Sequence, residues 1–354
     1  MLKDRLAREI GSEFHWVGLP KGPYHQWPQP NVTFALGRGV LAAICRKHRS
    51  GAGTRALHVP DYFCRDVVQS LQREGVAVRF YADDPRWLNP QWESLRPKRG
   101  DLVLAVNYFG VRDGSVWGSW SQENRGVVMI EDHTHDPASK WALTSNADFA
   151  FASLRKTLPV TDGAIVWSPR GRALPHALEG SDSFGSALKL AAMVLKTAHL
   201  AGTHRDSSLK TAFRRLQVDG ETAMIGAIDA GVSAWNRSVL SGGFPKSWRR
   251  KREANVRCFL EMLAGSKQAA SLFGDWPGGH CPFNGILVCA SDTLRERLRM
   301  RLVRADIYAA VHWPLAPGTS DHAIELAGRI LTIPLDQRYD LQDVERIVKV
   351  IRSA

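Results

Sequence analysis

The stretch VVMIEDHTHDPASKWALTSNADFAFASLRKTLP (residues 127–159) decides the fold of this chain. It contains two short apolar runs, and each run ends in polar residues. The first run closes on Glu131 and Asp132, and the second leads to Ser153 and Lys156. Short continuous apolar runs between helical stretches are typical of strands in a parallel sheet that is covered on both faces. Both polar ends are therefore predicted to lie at one edge of the sheet, where the ligands of such sheets bind.

The same alternation extends to both sides of this stretch. A glycine-containing turn leads into a predicted helix near residue 37, and short apolar runs then alternate with helical segments. The predicted strands are residues 56–59, 76–81, 102–106, 127–130, 149–152 and 164–167. This pattern predicts an α/β fold with a mainly parallel sheet flanked by helices, followed by a smaller α+β domain.

The predicted division places a large α/β domain at residues 1–243 and a small C-terminal α+β domain at residues 244–354. Residues 1–33 are rich in Pro, Gly and Trp and are predicted to be an irregular lead-in to the large domain. The small domain begins after the sequence GGFP, where the apolar positions 256, 259, 260 and 263 repeat with helical spacing.

The composition is that of a folded, water-soluble protein. Of the 354 residues, 44% are hydrophobic and 23% are charged, and no apolar run is long enough to cross a membrane. The charged start, MLKDRLAREIGSEF, does not resemble a signal peptide, and the five scattered cysteines show no metal or disulfide spacing. We therefore expect a cytoplasmic protein without a membrane partner. The net charge of +12 would suit nucleic acid, but no zinc-finger, RNP or helix-turn-helix pattern supports that partner.

Asp132 and Lys156 together indicate the cofactor pyridoxal 5'-phosphate (PLP). A buried carboxylate needs a cationic partner, and a protonated pyridine nitrogen is one. A lysine amine at the end of the next strand can form a Schiff base, and burial together with the charge of Arg155 would lower its pKa. Each residue alone also fits an ordinary role, as an ion pair or helix cap for Asp132 and as solvated surface for Lys156. Their pairing favours the cofactor.

Further residues fit the same ligand. Gly37 and Arg38 open a helix whose free amides suit a phosphate, and the Ser153 hydroxyl is placed to join them. Tyr62 and Phe63 follow a strand and either stack on a flat ring or belong to the core.

Two histidines stand close to Asp132 in the sequence. His133 and His135 are two positions apart, but no third ligand has convincing spacing, so no metal site is predicted. A hydrogen bond from one of them to the cofactor is the better interpretation.

The order of these segments resembles the DegT/StrS-type nucleotide-sugar aminotransferases, which are fold-type I PLP enzymes. The resemblance extends over about residues 34–352 and depends on the ordered set, because no single motif is decisive. The segments that carry it are LGRGVL (36–41), VPDYF (59–63), NYFG (107–110), IED (130–132), SLRK (153–156), DG (162–163), HWP (312–314) and IPL (333–335).

The resemblance implies a role for each candidate residue. Lys156 would be the Schiff-base lysine, Asp132 the partner of the pyridinium nitrogen, and His135 the residue that contacts the ring hydroxyl. The remaining cofactor positions would be Gly37, Arg38 and Ser153 at the phosphate, and Tyr62 or Phe63 on the ring.

The function implied by the resemblance is the transfer of an amino group from a donor to a keto group of a nucleotide-linked sugar or related small metabolite. It also implies a homodimer with its active sites at the subunit interface. The chain departs from the family, because it lacks the Gly-Glu-Gly-Gly that follows the lysine and the Asn-x-Arg segment that crosses to the partner subunit. Another PLP reaction (a lyase, elimination or decarboxylation step) therefore remains an alternative, and a non-catalytic basic binding protein on the same fold is a further one.

Overall fold

The computed structural model describes residues 9–48, 55–177, 184–202, 207–266, 269–315 and 319–353. The first eight residues of the charged N-terminal stretch lie outside these ranges. The strands are β1 (Ile10–Gly11), β2 (Tyr24–His25), β3 (Asn31–Phe34), β4 (Ala56–Pro60), β5 (Ala77–Tyr81), β6 (Leu102–Val106), β7 (Val128–Asp132), β8 (Phe149–Ser153), β9 (Ala164–Trp167), β10 (Phe244–Pro245), β11 (Ala269–Ser271), β12 (Gly285–Cys289), β13 (Ile307–Tyr308) and β14 (Ile330–Ile333).

Helices separate most of these strands. They are α1 (Gly37–Lys47), α2 (Arg65–Arg73), α3 (Ser115–Glu123), α4 (Lys140–Thr144), α5 (Phe184–Ala201), α6 (Ser207–Ile225), α7 (Ala234–Ser241), α8 (Lys246–Leu263), α9 (Asp292–Arg304), α10 (Asp321–Arg329) and α11 (Leu341–Arg352). Short 3₁₀ turns follow two strands of the main sheet, at Tyr108–Gly110 and Leu154–Lys156. No helix in the described part of the chain is long and apolar enough to cross a membrane.

The main sheet has seven strands in the order β3-β9-β8-β7-β6-β4-β5. The strands from β5 to β8 along this order pair in parallel, whereas β9 pairs antiparallel with both β8 and β3. β4 and β6 are buried along their whole length, which is why they read as continuous apolar runs. The predicted α/β fold with a mainly parallel sheet is confirmed.

The irregular lead-in predicted for residues 1–33 is wrong in part. β3 forms the edge strand beside β9, β1 pairs with β13, and β2 pairs with β10. Each of these strands has its partner more than a hundred residues away in the sequence, so backbone pairing orders a stretch whose local composition indicates a loop.

A second core lies in the C-terminal part of the chain. The antiparallel sheet β11-β12-β14 is covered by α8, α9 and α11, whose inward residues include Val256, Phe259 and Ile347. β10 pairs with β2, and α10 packs its apolar residues on the core of the main sheet. The division at residues 243 and 244 stays a prediction, because these contacts join the two parts.

The parallel strands end together. β4, β6, β7 and β8 end at Pro60, Val106, Asp132 and Ser153, and their parallel pairing places these ends at one edge of the sheet. α1 begins at this edge, because Gly37 lies against Ser153 and Phe151 of β8.

The close approach of α1 to the rest of the protein generates a stability prediction. A Cβ atom on Gly39 would lie 2.0 Å from the Ile228 carbonyl oxygen, a backbone atom that cannot give way easily. Gly39→Ala should therefore lower the free energy of unfolding by about 2 kcal/mol or more, despite the higher helix propensity of alanine. Urea denaturation measures the change. Gly18→Ala, which would meet nothing within 4 Å, should stay within about 0.5 kcal/mol of the wild type. Equal stability of Gly39→Ala and the wild type would contradict the packing.

Candidate cofactor site

A cavity opens at the carboxyl edge of the main sheet, and nearly all the predicted site residues line it. They are Gly37, Arg38, Phe63, Asp132, His135, Ser153 and Lys156. These residues come from α1, from the segment after β4, from the end of β7 and the segment after it, and from β8 with its following turn. The edge of the parallel sheet therefore brings together side chains that are far apart in the sequence.

Asp132 ends β7, which pairs with β6 on one side and β8 on the other. Its Oδ1 accepts a hydrogen bond of 2.8 Å from the Thr134 amide. Burial raises the pKa of Asp132, and the hydrogen bonds with Thr134 only partly offset this. No ion pair to Asp132 occurs within the described ranges of the chain. A carboxylate in this setting fits a positively charged ligand group, such as a protonated pyridine nitrogen.

Lys156 ends the 3₁₀ turn that follows β8. Its side chain lies deep in the protein but borders two cavities, which leave part of its surface accessible. Burial lowers the pKa of Lys156, and the charges of Arg155 and Lys189 lower it further, against an opposing contribution from Glu221. A lowered pKa increases the fraction of neutral amine, which is the form that attacks a carbonyl carbon.

A cluster of cations around Glu221 lies beside Lys156. Arg155 donates two hydrogen bonds to the Glu221 carboxylate, at 2.6 and 2.7 Å, and Lys189 donates one at 2.9 Å. Lys189 also binds Glu13 at 3.0 Å, and Arg38 lies 3.6 Å from Glu221. Burial alone would raise the pKa of Glu221, but Arg155 and Lys189 outweigh it and hold that pKa far below its usual range. Glu221 is therefore ionised and keeps Arg155 in place.

The N-terminus of α1 meets the same cavity. No side chain caps this helix at Leu36, so its first amides are not bound by a capping side chain. Gly37 lets the helix approach β8, since a Cβ atom there would lie 3.2 Å from the Cβ atom of Ser153. Arg38 donates a hydrogen bond to the Ser70 hydroxyl at 3.1 Å and lines the cavity. The uncapped N-terminus of α1, the Ser153 hydroxyl and the Arg38 guanidinium together suit a phosphate group.

His135 is fixed in its neutral form. Its Nδ1 accepts a hydrogen bond of 3.0 Å from the Phe109 amide, and its ring stacks on Phe283 at 4.5 Å between centroids. Burial lowers the pKa of His135 well below its usual value, and the nearby His312 and Lys156 lower it further. Because Nδ1 accepts, the proton of the neutral ring is on Nε2, which can donate to a ligand in the cavity.

Tyr62 does not line this cavity, so the predicted stacking role does not fit it. Its ring is fully buried edge-on against Tyr108, and its hydroxyl donates to the His312 carbonyl. The neighbouring Phe63 does line the cavity, near the ring of Trp313. Of the two aromatic candidates, only Phe63 is placed to contact a ring there.

Several cavity residues had no predicted role. They are Cys64, Asn107, Thr134, Phe151, His312 and Trp313. Asn107 is held by hydrogen bonds with the Ser139 hydroxyl and the Arg112 amide. Burial, and then the charge of Lys156, lower the pKa of His312 to about 3, so this ring is neutral. The segments NYFG and HWP, which carry part of the family resemblance, were the signal that could have identified Asn107, His312 and Trp313.

A second cavity of about 460 Å³ lies on the other side of Lys156. It shares Arg155, Lys156 and His312 with the first cavity, so the Lys156 side chain borders both. Residues 11–14 of the N-terminal segment form one wall, and residues 308–310 with Arg338 form another. This volume is large enough for a small-molecule substrate next to a cofactor.

Cations fix the N-terminal wall. The buried amine of Lys196 donates hydrogen bonds to the carbonyls of Gly11 and Glu13, at 3.2 and 2.7 Å. Arg338 donates to the Glu13 carbonyl at 3.1 Å, and the Gly11 amide donates to the Tyr339 hydroxyl at 2.7 Å. The wall therefore has a defined position, although residues 11–14 include only the end of one short strand.

Neither a family model nor a curated protein sequence matches this chain. Solved structures do match it, and three examples show the degree of similarity. A DegT DnrJ EryC1 StrS aminotransferase from Brucella abortus is 16% identical, with a TM-score of 0.57 over 91% of this chain and 85% of that one. PseC from Helicobacter pylori, an aminotransferase involved in the biosynthesis of pseudoaminic acid, is 12% identical, with a TM-score of 0.60 over 91% and 85%. Spr1654 from Streptococcus pneumoniae, in its PLP form, is 14% identical, with a TM-score of 0.58 over 91% and 86%.

These comparisons establish the fold. The chain has the architecture of the DegT/StrS-type aminotransferases over more than nine tenths of its length, as the ordered sequence segments predicted. Identities this low do not transfer an activity, which has to be argued from the site.

The charge next to Lys156 generates a prediction about its pKa. Arg155→Met removes the nearest cation and frees part of the Glu221 charge, and both changes favour the protonated amine. The pKa of Lys156 should therefore rise. In cofactor-free protein, the reactivity of Lys156 towards an amine-selective acylating reagent, followed by peptide mass spectrometry, should shift to higher pH.

Arg214→Met is the matched control, because Arg214 also lines the second cavity but is not among the groups that shift Lys156. In Arg214→Met, the dependence of Lys156 reactivity on pH should match that of the wild type. An unchanged profile for Arg155→Met would show that Arg155 does not tune the amine.

Proposed function

We propose that this protein is a PLP-dependent aminotransferase that acts on a keto group of a nucleotide-linked sugar or related small metabolite. The observation that carries the proposal is the pair formed by Asp132 and Lys156. A half-buried carboxylate with a raised pKa and no ion pair in the described chain borders one cavity, together with an amine whose pKa is lowered. The fold supports it, and Spr1654, which shares that fold, has known PLP and PMP forms.

The residues of the first cavity fit each part of the cofactor. The uncapped start of α1 with Arg38 and Ser153 would hold the phosphate. The Asp132 carboxylate would keep a proton on the ring nitrogen, and the His135 Nε2 would donate to the ring hydroxyl. Phe63 would contact the face of the ring.

Lys156 would act as the base of the reaction. When bound, PLP supplies an electron-accepting ring that stabilises negative charge on the carbon that carries the amino group. The Nζ of Lys156 would remove and return a proton at that substrate carbon, which requires the neutral amine that burial and Arg155 favour. His312 would stay neutral and would not compete for the proton.

The second cavity would receive the substrate and the amino donor. In its wall Lys189 and Arg338 are paired with carboxylates, whereas Arg214 adds positive charge that suits a substrate with an anionic group. The proposal includes a homodimer, as the resemblance implies, and a cytoplasmic location, as the scattered cysteines and the charged N-terminal stretch indicate.

The proposal predicts a visible absorption band when purified protein is incubated with PLP and unbound cofactor is removed. Lys156→Ala should abolish this band, because no amine remains at that position to bond the cofactor. Lys156→Arg is the matched control for charge and should lack the band as well. A band that persists in Lys156→Ala would reject the assignment of this lysine. Wild-type protein without any band would favour a non-catalytic binding protein.

Asp132→Ala tests the ring partner separately. Loss of the carboxylate should weaken PLP binding at least about tenfold, because the protonated ring nitrogen would lose its counter-ion. Fluorescence titration with PLP measures the affinity. Glu131→Gln, one residue earlier on β7, is the control and should bind PLP as the wild type does. Equal affinity of Asp132→Ala and the wild type would contradict the assigned role.

The reaction type has its own test. An aminotransferase should lose the visible band on addition of an amino acid donor and release the matching keto acid without ammonia or carbon dioxide. Release of ammonia or carbon dioxide would favour the alternative, a lyase or decarboxylase on the same cofactor.

A further inference from the structure

The first two turns of α8 carry more positive charge than the stability of a helix favours. Cations near a helix N-terminus oppose the helix dipole, and no acidic residue lies in the first turn of α8 to balance them. The cations in residues 246–252 are Lys246, Arg249, Arg250, Lys251 and Arg252. Contacts with the rest of the protein therefore have to explain why this charge is concentrated here.

The arginines of this stretch point in different directions. Arg250 is exposed, as is the neighbouring Lys251, whereas Arg252 is buried and Arg249 is half-buried. The two inward arginines contact the segments that follow β7 and β8, which are the strands that lead to the candidate site. α8 thus reaches this site from the C-terminal part of the chain.

Arg252 and Gln337 hold the carbonyl group of Thr157, the residue after Lys156. The Gln337 Nε2 donates to this carbonyl at 2.9 Å, and the Arg252 Nη2 makes a longer contact with it at 3.4 Å. Arg252 Nη2 also donates to the Gln337 Oε1 at 2.7 Å, which fixes the direction of the amide. All three residues are buried. Arg252, Gln337 and the Thr157 carbonyl are called the Thr157 clamp below.

The Thr157 clamp is supported on both sides. Asn255, one turn further along α8, donates to three carbonyl groups of residues 335–339, the segment that contains the glutamine of the clamp. On the other side, the Thr157 amide donates to the Leu154 carbonyl at 3.0 Å and so closes the turn that ends at Lys156. A continuous set of hydrogen bonds therefore joins α8 to the backbone beside the lysine.

The charge of Arg252 is not explained by an ion pair. Only 2% of this residue is exposed, yet it forms no salt bridge with a carboxylate in the ranges that the structure describes. A buried charge without a counter-ion is unfavourable unless it is well hydrogen-bonded. The rings of Phe244 and Phe283, at 5.8 and 5.9 Å from the guanidinium carbon, are weaker partners. The contacts of Arg252 in the Thr157 clamp are the strongest that this side chain makes.

Arg249 has a similar relation to the segment after β7. Its Nε and Nη2 donate to the Asp136 carboxylate at 3.3 and 2.8 Å. Asp136 directly follows His135, the candidate partner of the ring hydroxyl. Arg249 therefore fixes the residue after His135, as Arg252 fixes the residue after Lys156.

We propose that α8 positions the candidate site through its two inward arginines. Arg252, together with Gln337, fixes the peptide that follows Lys156, and Arg249 fixes the segment that follows His135. A short turn without such contacts would let the lysine amine move, and a misplacement of about 1 Å can slow a reaction by about 100-fold. The effect on cofactor chemistry rests on the proposed function, whereas the fixing of the turn does not.

The first test measures amide hydrogen exchange in cofactor-free, full-length protein by peptide mass spectrometry. Arg252→Met should raise exchange in residues 154–158 at least about tenfold, because the clamp loses its arginine, and should leave β6 and β7 unchanged. Arg250→Met, an exposed arginine of the same helix, is the matched control and should exchange as the wild type does. Unchanged exchange in residues 154–158 of Arg252→Met would overturn the proposal. An equal rise along the whole chain would do so too, because it would show a general loss of stability.

The second test adds PLP to the same proteins. In Arg252→Met the visible band should form at least about tenfold more slowly but reach the wild-type intensity at saturating PLP, because the residues that line the first cavity are unchanged. Arg252→Lys should recover part of the rate. Gln337→Leu should also slow the band, and the double variant should be no slower than the slower single variant, because both changes break one clamp. A full sum of the two single effects would contradict a shared clamp.

Arg249→Lys tests the other half of the proposal. Lysine keeps a positive charge beside Asp136 but lacks the two donors that a guanidinium directs to one carboxylate. The affinity for PLP, from fluorescence titration, should fall at least about threefold, with exchange in residues 154–158 unchanged. Lys251→Met, on the exposed side of α8, is the control and should bind PLP as the wild type does. Equal affinity of Arg249→Lys and the wild type would overturn the role of Arg249.

The two kinds of measurement separate the positioning from the proposed function. Exchange that rises only around Thr157 in Arg252→Met, in a protein whose wild type gives no band with PLP, would support the positioning and reject the cofactor. A wild-type band, with unchanged exchange and an unchanged rate in Arg252→Met, would do the reverse.

Discussion

The candidate site depends on the position of one carboxylate, that of Asp132. β7 is paired on both sides, so the strand holds this group at the edge of the cavity. The carboxylate is half-buried, and desolvation raises its pKa, which the hydrogen bonds with Thr134 offset only in part. The fold thus maintains an unfavourable interaction that a cationic ligand would relieve. The Thr134 hydroxyl also accepts a hydrogen bond from the Ser153 amide. This bond links the segment after β7, which carries the carboxylate, to the end of β8, which leads to Lys156.

The electrostatics of Lys156 are set from the α5–α6 hairpin as much as from the sheet. Glu221 on α6 is the common partner of Arg155 and Lys189, and it holds both cations close to the amine. Cations next to a lysine oppose its protonation, and burial does the same.

The sequence was sufficient for the parts of the structure that have local signals. The buried strands appear as continuous apolar runs, and Asp132 and Lys156 are recognisable because each follows such a run. Tyr62 and Phe63 could not be separated in the same way, because the direction of two adjacent aromatic side chains in a turn depends on tertiary contacts. β3 was missed since a four-residue edge strand with two polar residues has no distinctive pattern without its partner. The contribution of Glu221 was not apparent from sequence either, because it reaches the site through the packing of two helices.

Under the proposed function, cofactor chemistry and substrate choice would be divided between the two sides of Lys156. The first cavity is built on the ends of the parallel strands, whose hydrogen-bonded pairing fixes the candidate cofactor residues. The second cavity is built mainly from the N-terminal segment, α5, α6 and the C-terminal part, which meet through side-chain ion pairs. Substitutions in those walls can change shape and charge without disturbing the sheet. A chain can therefore diverge far from its structural neighbours in sequence and in substrate while the strand ends keep the same arrangement. This separation explains why the geometry around Asp132 and Lys156 argues more strongly for the cofactor than the second cavity argues for a particular substrate.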